Sequence, residues 1–200
     1  METANNTEEK ILAILLKEQF ATHTVTSLAK AIGITRQGIW KTLNKLVANN
    51  LIVLEAVGKT KTSTDTIKLN WNSLITERTL SLLLTKEALK QERWRDNFKK
   101  LEKHTLFTIL FGSILHSPKE ANDIDMLIVV KTKNDFKVIE SILSEAQQVQ
   151  TKKIHAIDLT ERELEVELKK KNKAYLEAIK KGIILFGQEK FIKFIEDISK

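Results

Sequence analysis

Two short motifs in the second half of the chain bring together residue types suited to phosphate chemistry. The apolar run Leu106-Phe107-Thr108-Ile109-Leu110-Phe111 ends at Gly112-Ser113. After nine intervening residues, Asp123-Ile124-Asp125 opens a second apolar run, Met126-Leu127-Ile128-Val129-Val130. A glycine after a strand lets backbone amides approach phosphate oxygens, and a serine hydroxyl adds one more donor. In an extended strand, residues two apart project to the same side. Asp123 and Asp125 can therefore hold one divalent metal or bridge two. Hard oxygen ligands suit Mg2+ (or Mn2+), which keeps waters and triphosphate oxygens in its shell. A metal so held neutralises a nucleoside triphosphate (NTP) and stabilises in-line displacement at its α-phosphorus. Taken singly, Gly112-Ser113 also reads as an ordinary strand-to-helix turn, and the two aspartates as an ordinary strand entry. The pairing on two apolar strands is what points to chemistry.

The elements around these motifs follow from pattern. Lys133 to Leu143 has the spacing of an amphipathic helix through Phe136, Val138, Ile139 and Ile142. Lys153-Ile154-His155-Ala156-Ile157-Asp158-Leu159 reads as a further strand. Residues 160–181 read as one strongly charged helix, its Lys169-Lys170-Lys171 run a solvated face, with Thr160 and Glu163 forming a capping box at its start. Phe191, Ile192, Phe194 and Ile195 close a final helix. His155 reads as a sheet-surface residue, and His23, His104 and His116 show no metal spacing with one another.

From Phe107 to its end the chain resembles the DNA polymerase beta-like nucleotidyltransferases, and among them the minimal nucleotidyltransferases. The shared order is strand, Gly-Ser, short helix and Asp-x-Asp on the next strand. The segment Ile179-Lys180-Lys181-Gly182-Ile183-Ile184-Leu185-Phe186-Gly187 is similar to the family's closing segment. The resemblance implies transfer of a nucleoside monophosphate from an NTP to a hydroxyl of protein, RNA or a small molecule, in a toxin–antitoxin setting. It implies nucleotide binding by Gly112 and Ser113, metal binding by Asp123 and Asp125, and a third carboxylate acting as general base. Asp158 is the candidate for that third group; its competing role is in the turn that enters the next helix. The loop departs from the family pattern. Ile114-Leu115-His116-Ser117 stands where a small residue, a basic residue and a glycine are usual, Asn122 precedes the first aspartate, and the spacing is about one residue tight. Lys119 is the candidate to supply charge there. The alternative is a nucleotidyltransferase-like domain that senses a nucleotide, or acts as a scaffold, without catalysis.

The first seventy residues have a different character. Ile11, Leu12, Ile14, Leu15 and Phe20 mark an amphipathic helix. Thr26 is placed to cap a second helix, which buries Leu28, Ala29 and Ile32 and stops at Gly33. Thr35 is placed to cap a third, with Ile39, Leu43, Leu46 and Val47 as its inward stripe. Leu51–Leu54 and Thr66–Leu69 then read as two strands around the polar loop Gly58-Lys59-Thr60-Lys61. Three helices followed by a basic hairpin is the order of a winged helix. The stretch from Ala29 to Leu43 resembles the helix-turn-helix of biotin-repressor-like winged helices. That resemblance implies double-stranded DNA as partner, with Arg36 and Gln37 at base edges, Lys41 nearby, and Lys59 and Lys61 on phosphates or the minor groove. Two alternatives stay open: a solvated helical face, or a protein-docking module. Trp40, one position beyond the stripe, packs at the rim of the bundle on this reading.

Between the two lies 72–104, free of proline and glycine and helical in period. Leu74, Ile75, Leu80, Leu83 and Leu84 form one apolar group, and Leu89, Trp94, Phe98 and Leu101 another, with Thr85 placed to cap a second helix there. Its apolar face needs cover, either from the C-terminal domain or from a second copy of the chain in a homodimer.

The expected class is thus α+β: an N-terminal winged helix (1–71), a helical spacer (72–104) and a nucleotidyltransferase-like mixed sheet flanked by helices (105–200). Composition agrees. Of 200 residues, 42% are hydrophobic and 30% charged, which is ample for packed cores in a water-soluble protein. The absence of cysteine excludes disulfides and thiolate metal sites. No apolar run approaches the ~20 residues a bilayer demands, so no membrane partner is expected. The polar, acidic start is the reverse of a secretory signal, and a cytoplasmic location is the expectation. The net charge of +7 is unevenly spread: 9 basic to 6 acidic side chains over 1–75, 8 to 5 over 76–105, and 16 to 15 over 106–200. The excess lies in the half expected to meet a polyanion.

Overall fold

In a computed structural model of the chain, residues 2–57 and 64–199 are described, with side chains over 7–56 and 65–199. They form two compact units, residues 1–83 with 199–200, and residues 84–198.

The first unit opens with α1 (Glu2–Lys17), α2 (Val25–Ile32) and α3 (Arg36–Ala48), followed by the antiparallel strands β1 (Ile52–Val57) and β2 (Thr64–Leu69). Ile11, Leu12, Leu15 and Leu16 of α1 are buried, as are Leu28 and Ala29 of α2 and Ile39, Leu43 and Leu46 of α3. This is the spacing expected of three amphipathic helices sharing one core. Phe20 lies beyond α1, and Val47 faces out rather than completing the inward stripe. The cap of α2 is Thr24 rather than Thr26. Thr24 accepts from the Ser27 amide while the Ser27 hydroxyl accepts from the Thr24 amide, a reciprocal box that fixes the start two residues earlier. Gly33 ends α2 at φ 80°, a left-handed conformation that glycine adopts without cost. Thr35 caps α3, accepting from the Gly38 amide at 3.0 Å. Lys59 and Lys61 lie outside the described residues.

The segment 72–104 is helical but does not form a separate body. α4 (Leu74–Leu89) runs through the boundary between the units, followed by α5 (Glu92–Asn97) and a 3-10 helix (Lys99–Lys103). Thr85 does not cap a second helix. It lies inside α4 beside the buried Leu84, and the break comes at Lys90 and Gln91.

The second unit is built on a four-stranded mixed sheet of β3 (Phe107–Phe111), β4 (Asp123–Val130), β5 (Lys153–Thr160) and β6 (Ile183–Phe186), in the order β5-β4-β3-β6. β3 pairs antiparallel with β4 and β6, whereas β4 and β5 are parallel. The connections are α6 (Phe136–Val149), α7 (Glu161–Lys169) and α8 (Lys173–Lys181), with α9 (Gln188–Ser199) at the end. Helices cover both faces of the sheet, which explains why β4 is apolar almost throughout rather than alternating. One face packs Leu110, Ile124, Met126, Ile128 and Val130 against Trp94, Phe98, Leu101 and the α6 residues Ile139, Ile142 and Ala146. On the other face, Phe191 and Phe194 of α9 meet Phe107, with ring centroids 5.3 and 5.5 Å apart. The Arg95 guanidinium donates to the Leu185 carbonyl at 2.6 Å and lies 5.1 Å from the Phe186 ring, tying α5 to β6.

Two boundaries differ from the sequence pattern. The helix after β4 starts later and runs longer than 133–143, with a 3-10 turn at Lys133–Asp135. The charged segment 160–181 is two helices. Lys171 takes a positive φ of 56° between them, and the Asn172 side chain caps α8 through the Ala174 amide. The capping box of Thr160 and Glu163 forms as the sequence indicates.

Candidate functional site

Asp123 and Asp125 sit at the start of β4. The antiparallel register with β3 places Phe111 opposite Asp125, so Gly112 follows directly beside the second carboxylate. Gly112 has φ 82° and ψ −164°, and a Cβ built on it would overlap the Asp125 side chain. Only glycine lets the backbone pass this close to the carboxylate. Ser113 begins a short 3-10 helix (Ser113–Leu115) and is exposed. The loop that follows is tied to the start of β5, because the Lys152 ammonium donates to the Ala121 carbonyl and lies 3.5 Å from that of Lys119. The Lys119 side chain itself points to solvent.

The parallel register of β4 with β5 settles which β5 side chains reach the pair. Asp125 is opposite His155, and Ile128 is opposite Asp158. Alternation along the strands therefore puts His155 on the face of Asp123 and Asp125, and Asp158 on the other. His155 Nδ1 lies 3.3 Å from Asp123 Oδ2 and 3.9 Å from Asp125 Oδ1. One donor atom from each of Asp123, Asp125 and His155 falls within 4.8 Å of the others. Desolvation first, and then the adjacent Asp123 charge, push the Asp125 carboxyl above its ordinary range, while His155 pulls it the other way.

Asp158 does not join this cluster, which corrects its assignment as the third carboxylate of the pair. It lies in a groove of about 650 Å³ between β5 and α6, lined by Phe136, Glu140, Leu143, Gln147, Ile154 and Ala156 among others. One of its oxygens is buried with no hydrogen-bond partner among the described residues. Burial and then the Glu140 charge raise its pKa. His155 is exposed on the sheet surface, as the sequence pattern indicates, and stands beside the two aspartates there. Its place depends on inter-strand register, which no local pattern reports.

In the first unit, Arg36, Gln37 and Lys41 are all exposed, on the side of α3 away from the buried Ile39, Leu43 and Leu46. Trp40 is 39% exposed and lies on the outward side as well. Thr35 and the left-handed Gly33 fix where α3 begins, and hence which side chains lead it. Lys45, one turn further along, is paired with Glu8 at 2.6 Å.

Residues 7–60 match the family model of a helix-turn-helix domain, in agreement with the order and caps of α1 to α3. The N-terminal unit thus carries a helix-turn-helix DNA-binding domain. No curated protein matches the chain. Among solved structures, a mutant of Lactococcus lactis ZitR aligns at 15% identity with a TM-score of 0.34, over 72% of this chain and 73% of that one. A second ZitR mutant, in apo form, aligns at 19% identity with a TM-score of 0.33, over 74% and 83%. Superpositions this loose carry no structural argument. Among the described residues, no helix is long and apolar enough to cross a membrane.

Proposed function

We propose that this chain is a DNA-binding transcription regulator whose second unit is a nucleotidyltransferase-like sheet serving as a ligand-sensing or scaffold module without catalysis. The observation that carries the reading is the exposed row Arg36, Gln37 and Lys41 at the leading end of α3, within a matched helix-turn-helix. In such a motif this end of the second helix enters the major groove of double-stranded DNA. Arg36 and Gln37 read base edges there with Lys41 nearby, and Lys59 and Lys61 meet phosphates or the minor groove. The chain works in the cytoplasm and pairs through the helical segment 72–104 to span two half-sites. The placement of Asp158 away from Asp123 and Asp125 argues against a three-carboxylate transferase centre.

One observation favours a catalytic reading. Gly112 is pressed against Asp125, with Ser113 next in line and Lys119 in the same loop, as a phosphate cradle over a metal-binding aspartate pair requires. On that reading Asp123 and Asp125 hold Mg2+ or Mn2+, an NTP is the substrate, and the acceptor is a protein or RNA in a toxin–antitoxin pair.

Fluorescence anisotropy of the full chain on randomised and selected duplexes tests the first reading. Arg36→Ala and Gln37→Ala are expected to cost about 1–3 kcal/mol on the selected duplex and to relax its specificity. Selected-duplex affinity unchanged in both variants sinks the docking arrangement. Incubation with each of the four NTPs and Mg2+ or Mn2+ tests the second. Label transfer that disappears in Asp123→Ala and Asp125→Ala would restore the catalytic reading.

A further inference from the structure

We propose that Asp123, Asp125 and His155 together bind one first-row transition-metal dication, with Zn2+ preferred over Mg2+. The inference rests on reading the second unit as a ligand-binding module, and it names the ligand.

The geometry is close to what such an ion needs. Donors at about 2.0–2.1 Å around a tetrahedral ion stand about 3.3–3.4 Å apart. His155 Nδ1 already lies 3.3 Å from one Asp123 oxygen and 3.9 Å from one Asp125 oxygen. The Asp125 pair has to close by about half an ångström, and the two carboxylate donors, within 4.8 Å of each other, turn about their side-chain torsions to meet the same ion. All three groups stand on strands whose register is fixed over eight residue pairs, so the site is carried by the sheet and not by a loop. The second aspartate is backed by Gly112, where even a methyl group would displace it.

Charge points the same way. Two carboxylates stand side by side at the end of one strand, where like charges repel. A dication placed between them satisfies all three donors at once. The donor set then chooses among dications. Imidazole nitrogen suits zinc, copper, iron and nickel, while carboxylate oxygens alone suit magnesium and manganese. Magnesium also demands near-ideal octahedral oxygen geometry and gives up water reluctantly. Side-chain exposures of 33%, 27% and 47% for Asp123, Asp125 and His155 leave the outer side of the site open to water or a further anionic ligand. Three protein donors leave one position of a tetrahedral ion open, unlike a closed structural zinc site.

The test is calorimetric titration of the full chain with Zn2+, Mn2+ and Mg2+ at neutral pH. One ion per chain is expected, with Zn2+ bound at least about tenfold more tightly than Mg2+. His155→Ala should weaken Zn2+ by at least about tenfold, since even outer-shell partners are worth that much, and should narrow its lead over Mg2+. Asp125→Asn should weaken every ion. Mn2+ bound to the unmodified chain should show imidazole nitrogen modulation in electron spin-echo spectra, a readout that needs no variant to fold. Zn2+ affinity unchanged in His155→Ala, Mg2+ binding as tight as Zn2+, or Mn2+ spectra without nitrogen would each overturn the proposal. DNA affinity measured on the same samples separates the two readings. Loss of the metal result with DNA binding intact removes only the metal site. Metal binding without DNA binding removes the regulator reading.

Discussion

Gly112 occupies a backbone region that side-chain-bearing residues avoid, with the Asp125 carboxylate where a Cβ would stand. Gly112→Ala is therefore expected to cost about 1–3 kcal/mol of stability through backbone strain alone. The cost should appear as a lower urea midpoint at unchanged slope; an unchanged midpoint would show that the turn relaxes freely. Asp158 gives a prediction in pH. Its pKa is raised in the folded chain by burial and by Glu140, so the folded state binds its proton more tightly than the unfolded state. The resulting stability is fully present below the unfolded pKa, about 3.9, and is lost as pH rises through the folded value. Asp158→Asn should then be more stable than the parent at pH 7, with the gain shrinking as pH falls towards 3. Thermal melts of both proteins across that range decide the point, and a variant less stable at pH 7 contradicts it.

Among the elements, α3 begins at a single side-chain cap, the hydroxyl of Thr35. Thr35→Ala removes the cap on the Gly38 amide and is expected to cost about 1 kcal/mol. The same fraying loosens the turn that presents Arg36 and Gln37, so selected-duplex affinity should fall together with the melting temperature. A stability loss with affinity untouched would mean that the leading turn is not the docking surface. Much at this scale was legible in the sequence. Periodicity located α1, α3, β3, β4, β5 and α9, and Thr35, Gly33 and the Thr160–Glu163 box marked ends correctly. The misses share a cause. Thr24 capped α2 instead of Thr26 because Ser27 could reciprocate, and Thr85 stayed inside α4 because neighbouring side chains were buried. In both cases several local signals competed and tertiary context chose. The site divides along the same line. Gly112 beside Asp125 was visible as a motif, whereas the exchange of Asp158 for His155 follows from pairing between strands that lie far apart in sequence.

For the molecule as a whole, the open question is how many copies act together. Ile75, Leu82 and Leu89 recur one heptad apart on α4 and are 57%, 57% and 60% exposed. An apolar stripe with that period suits a parallel or antiparallel helix partner. The chain is expected to dimerise through it, and Leu82→Glu to shift the mass seen by light scattering from dimer to monomer. A monomeric parent at micromolar concentration would remove this arrangement and, with it, paired half-site binding. The surplus of positive charge lies over residues 1–105, which include the helix-turn-helix, while residues 106–200 are nearly balanced. The pairing of β4 with β5 has a further implication for how such a site diverges. Only three residues, 150–152, join α6 to β5. One residue gained or lost there would slide β5 by a single step, turn His155 inward and set Ile154 or Ala156 against Asp125. A lineage could thus exchange a nitrogen-bearing metal centre for a bare carboxylate pair by an indel in a short connector, with every ligand residue still written in its gene.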